Sequence, residues 1–70
     1  MTRTVQVIRS KTGKAVSATD LVHSPDDGGY YFSQHNFKTQ SHRVSEGIYF
    51  TERAALQDFR SGKVTWESRR

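Results

Sequence analysis

Between Tyr30 and Arg43 the chain interleaves flat rings with cations: Tyr30, Tyr31, His35, Phe37, Lys38, His42 and Arg43. Surfaces that hold nucleic acid combine positive charge for phosphates with rings on which bases stack. Tyr31, His35, Phe37, Lys38, His42 and Arg43 are therefore candidate contacts to nucleic acid or to a protein partner. A structural role competes for the same positions. Tyr30 and Phe32 alternate, so at least one belongs to a core, and Lys38 and Arg43 would also keep an edge strand soluble.

A second basic element lies further along. Arg53, Gln57 and Arg60 recur at helical spacing and form one outward stripe opposite Ala55, Leu56 and Phe59. Arg53 and Arg60 join the candidate set as grips for phosphate or for a carboxylate-rich protein surface. An ordinary solvated helix face explains the stripe as well. Lys11 and Lys14 flank a turn, and Arg69-Arg70 form a basic tail, so the positive surplus reads as spread along the chain.

Metal binding and catalysis find less support. His35 and His42 are separated by seven positions with no acid between them, His23 stands alone, and no standard ligand spacing is met. Asp26-Asp27 offers oxygen ligands, but Pro25 and Gly28 around it explain the pair as turn chemistry. A small ribonuclease would use His35, His42 and Arg43 as acid, base and phosphate clamp, yet nothing in the spacing fixes their geometry. The expectation is a protein without enzymatic activity, metal or cofactor.

Seventy residues with a net charge of +4 bound the answer to one small domain, residues 1–70. Leu, Ile, Val and Phe number fourteen, which borders on the disordered class, but eight aromatic residues bury far more area each. A folded, thin-cored domain follows, and a homodimer that completes the core is a further expectation. With no cysteine there is no disulfide, thiolate site or cysteine nucleophile. The start, MTRTVQVIRS, lacks the apolar run of a signal peptide, and nothing approaches a membrane span. A cytoplasmic setting without membrane attachment is the default.

The elements that must position the candidates read most clearly at the end. Val44, Ile48 and Phe50 are evenly spaced, as on one face of a strand. Thr51 is a good N-cap, Glu52 suits the helix start, and Gly62 follows Arg60 as a left-handed C-cap prefers. Val64 and Trp66 then alternate with Lys63 and Thr65. At the beginning, Val5, Val7, Val16 and Ala18 flank Lys11-Thr12-Gly13-Lys14, a hairpin. A two-residue loop at Thr12-Gly13 pairs Lys11 with Lys14, Arg9 with Val16 and Val7 with Ala18, placing those four apolar residues on one face. Asp20-Leu21-Val22 extends the second strand, the run from Ser24 to Gly29 breaks it, and Tyr30-Tyr31-Phe32 begins a third. From His35 to Ser45 periodicity fades into either edge strands or a functional loop.

Arg53 to Val64, RAALQDFRSGKV, is loosely similar to the helix-to-strand junction of phage head–tail joining proteins. There the segment opens the protein, whereas here it closes it. No function is carried over from twelve residues, but the likeness keeps a phage or mobile-element accessory protein in view.

The predicted fold is α+β: a small antiparallel sheet of four to five strands with one α-helix packed on one face. The predicted core is Val5, Val7, Val16, Ala18, Phe32, Val44, Ile48, Phe50, Leu56, Phe59, Val64 and Trp66. Two functions stand side by side: a nucleic-acid-binding module, and a protein-binding accessory or inhibitor that docks on a larger partner through exposed aromatics or a free sheet edge.

Overall fold

A computed structural model describes residues 2–69, with side chains through residue 67. The side chains of Ser68 and Arg69 and all of Arg70, hence most of the basic tail, lie outside the described residues. The chain forms a five-stranded antiparallel meander, β1 (Thr2–Arg9), β2 (Ala15–Ser24), β3 (Gly29–Asn36), β4 (Ser41–Ser45) and β5 (Trp66–Arg69), in spatial order β1-β2-β3-β4-β5. One helix, α1 (Glu52–Arg60), is inserted between β4 and β5 and packs on one face. The α+β class expected from the sequence is the observed one. No helix among the described residues is long and apolar enough to cross a membrane.

The helix starts and stops where its capping residues dictate. Thr51 is extended and its Oγ1 accepts the Ala54 N–H at 3.1 Å. At the other end Gly62 sits at φ 69°, the Lys63 N–H reaches the Asp58 carbonyl, and the Gly62 N–H reaches that of Phe59. Those two bonds are the Schellman pattern, which satisfies carbonyls the helix leaves free. A salt bridge from Arg3 on β1 to Glu52 ties the helix start to the sheet edge, but both groups are exposed, so it contributes little.

The core is small and aromatic. Leu21, Phe32 and Ala55 are fully buried, with Val5, Tyr30, Tyr49, Leu56, Phe59, Val64 and Trp66 packed around them. Phe32 lies at the centre: Phe59 stacks on it with ring centroids 5.0 Å apart, and Tyr49 meets it edge-on at 6.0 Å. Its backbone N–H donates to the buried Ser45 hydroxyl at 2.8 Å, fixing β4 against β3.

Several core assignments move. On β2 the helix-side residues are Ser17, Thr19 and Leu21, so Ala18 lies on the opposite face. Thr19 is buried because its hydroxyl accepts from Gln34 Nε2 at 2.9 Å, a polar pairing that hydrophobic alternation does not register. Val7 does pair with Ala18 as expected, but on that opposite face, where it is 41 % exposed. A bulge at Val5 breaks the alternation of β1 and turns Val5 back to the core. A second irregularity pairs Arg9 with Ala15 instead of Val16, and the turn closes through Ser10 and Lys14. Val16 and Val44 are only half-buried.

Ile48 and Phe50 are surface residues, and Phe50 is 85 % exposed. β4 ends at Ser45, and Gly47 at φ 72° resets the direction of the chain, so Tyr49 enters the core in their place. Tyr49 bridges to Tyr30 through backbone hydrogen bonds of 2.7 and 2.8 Å. That close approach needs Gly29, where an added Cβ would overlap the Tyr49 carbonyl oxygen and the Ile48 side chain.

The Tyr49 hydroxyl donates to Asp58 Oδ2 at 3.0 Å. Burial first, then the bond to and charge of Asp58, raise its pKa above the ordinary 10.0. The folded chain thus holds this proton more tightly than the unfolded chain, so its contribution is intact below about pH 10 and declines as pH rises beyond. Tyr49→Phe is expected to cost about 1 kcal/mol at neutral pH and to lose less stability than the parent between about pH 9 and 11. Urea melts across that range check this; parallel losses in both proteins would contradict it.

Candidate functional site

Cross-strand register brings four of the eight sequence candidates together. His35 on β3 pairs directly with His42 on β4, and the same row continues through Ala18 on β2 to Val7 on β1. This row lies on the sheet face opposite the helix. Phe37, just past β3, folds its ring beside His35 with centroids 5.0 Å apart, and the two histidine rings are 6.1 Å apart. His42 Nε2 and Ser33 Oγ share a 2.7 Å hydrogen bond. Lys38 follows in the turn, where the Asn36 side chain accepts from its backbone N–H at 3.0 Å.

A meander places its first and third turns at the same end of the sheet, and that geometry assembles the rest. The Phe37 N–H donates to the Val16 carbonyl at 2.8 Å, joining the β3–β4 turn to the base of the β1–β2 hairpin. Between them runs a groove of ≈ 300 Å³ lined by Ser10, Lys14, Ala15, Val16, Phe37 and Lys38. Its floor is apolar and its walls carry two lysines. Arg9 belongs to the same end, its guanidinium donating to the Gly13 carbonyl at 3.0 Å, and Lys11 sits in the hairpin turn.

The charge is therefore focused in space although it is spread in sequence. Residues 5–19 and 28–45 contain no Asp or Glu, and they supply this end together with the close of β5, where Arg69 pairs with His42. Asp26, Asp27 and Glu46 fall in the connections at the opposite end. Lys14 is the contributor that sequence reasoning left outside the candidate set. The signal was present in the alternation of strands and turns, which puts turns one and three side by side.

The other four candidates lie elsewhere. Tyr31 shares the open face but sits toward the acidic end, paired with Val22 and lining a hollow with Asp27 and Glu67. Arg43 is on the helix side: its guanidinium carbon stands 4.3 Å from the centre of the Trp66 ring, and its Nε donates to Gln34 Oε1 at 2.6 Å. That engagement is a packing role. Arg53 and Arg60 are exposed on the helix, in the other layer. With Arg43 on the far face, the acid, base and phosphate-clamp arrangement of a ribonuclease is not assembled around His35 and His42.

Compared with protein-family models, curated proteins and solved structures, the chain gives no match. The functional reading accordingly rests on this geometry.

Proposed function

We propose that this chain is a small non-enzymatic binding module that takes a single strand of nucleic acid across the basic end of its open sheet face. The observation that carries the reading is the gathering of Lys14 and Lys38 around Phe37, among described residues 5–19 and 28–45 that hold no Asp or Glu, with His35 and His42 alongside. Bases stack on exposed rings irrespective of sequence, and lysines beside them neutralise phosphates. Exposed rings on an open sheet face suit splayed single strands better than a duplex, whose bases are reached only through its grooves.

A salt titration tests this. Three to five neutralised phosphates on a single strand give a log–log slope of about −2 to −3.5. Lys14→Ala and Lys38→Ala are each expected to flatten it by about 0.7, with little dependence on base sequence. Absence of binding to single- or double-stranded DNA or RNA at low salt would overturn the proposal. The alternative is then a protein-binding accessory of phage or mobile-element type. Phe50, 85 % exposed at the opposite end, favours that reading as an aromatic anchor.

A further inference from the structure

We propose that His35 and His42 form a surface site for a borderline first-row divalent cation, Zn²⁺, Ni²⁺ or Cu²⁺, with one nitrogen from each ring and water in the remaining positions. The seven-residue separation fits no standard ligand spacing along the sequence. Across the β3–β4 turn it becomes a direct cross-strand pairing. Residues so paired hold their Cβ atoms about 4.5–5.5 Å apart, a span that lets two imidazoles share one ion at metal–nitrogen distances of about 2.0–2.1 Å. The ring centroids already stand 6.1 Å apart, and His35 is exposed, so rotation of its ring toward the Ser33-held His42 ring closes the remaining gap.

Ser33 supplies what metal-binding histidines usually have behind them, a partner for the second ring nitrogen. In the tautomer whose Nε2–H donates to Ser33 Oγ across the 2.7 Å contact, His42 Nδ1 carries the lone pair that a metal requires. Imidazole nitrogen selects these ions over Mg²⁺ and Ca²⁺, which prefer oxygen. Described groups of three or more His, Cys, Asp or Glu that would cage a metal do not occur. The site is therefore a two-nitrogen, water-completed one. His23 takes no part, its ring lying tilted against Tyr30 near the acidic end with centroids 4.8 Å apart.

This inference stands independently of nucleic-acid binding. NiCl₂ and ZnCl₂ titrations of the full chain, followed by calorimetry and amide NMR, are expected to show one ion per chain, with shifts or broadening confined to Ser33, His35, Phe37 and His42. His35→Gln and His42→Gln should each weaken binding by at least about tenfold, as loss of one of two ligands requires, while His23→Gln leaves it unchanged. Bound Cu²⁺ should show two imidazole nitrogens by electron paramagnetic resonance, and MgCl₂ should produce no shifts. Both substituted side chains are exposed, so thermal melts matching the parent verify that any loss is not unfolding. The proposal is overturned if either glutamine variant binds as tightly as the parent, or if Cu²⁺ in the parent shows a single imidazole nitrogen.

Discussion

Phe32→Ala is expected to leave the chain without a cooperative thermal transition. Phe32 is completely buried, and Phe59, Tyr49 and Trp66 all pack their rings around it. Truncating such a residue costs about 3–5 kcal/mol, while a core of this size rarely supplies more than about 3–5 kcal/mol in total. The loss therefore consumes the whole margin. Phe59→Ala removes only one wall of the cluster from a half-buried position, and about 2–3 kcal/mol is expected. Calorimetry of both variants checks the ordering. A sharp, full-strength melt of the Phe32 variant would mean that the centre of the core lies elsewhere.

Phe37→Ala is expected to have the opposite profile, with unchanged stability and a large loss of binding. The ring is 47 % exposed, and it touches His35 on the open face without entering the core cluster. Stacking of a base on an aromatic side chain contributes about 1–3 kcal/mol, so affinity for a single-stranded oligonucleotide should fall by about fivefold to 150-fold. The salt slope should hardly change, because no cation is removed. Fluorescence anisotropy at several salt concentrations separates the two quantities. A variant that binds normally would show that Phe37 carries no base.

The helix was legible in the sequence because local chemistry alone determines it. Thr51, Glu52, Arg60 and Gly62 cap and charge its ends, and Leu56 and Phe59 face the sheet as their spacing required. The hairpin was legible in outline: Val7 does pair with Ala18. Its facing was not, because two bulges shift the alternation and the inward side of β2 is carried by Ser17 and Thr19, which only a hydrogen-bonding partner makes suitable for burial. Ile48 and Phe50 misled for a related reason, since their even spacing continues across a left-handed glycine that ends the strand. From His35 to Ser45 periodicity faded because both faces there carry polar side chains, Asn36 and Arg43 on the helix side and His35 and His42 on the other, and the buried position is taken by Ser45. His35, Phe37 and His42 are available because they lie on the sheet face opposite the helix. The focusing of cations needed topology: Lys14 and Lys38 are far apart in the chain and share a groove only because a meander returns its odd-numbered turns to one end.

Amide NMR of the chain titrated with a short single-stranded oligonucleotide tests the central claim most directly. Perturbations are expected at Lys14, Val16, His35, Phe37, Lys38 and His42, the basic end of the open sheet face, with Arg53 and Arg60 on the helix left in place. Perturbations gathered on the helix, or none at low salt, would contradict it.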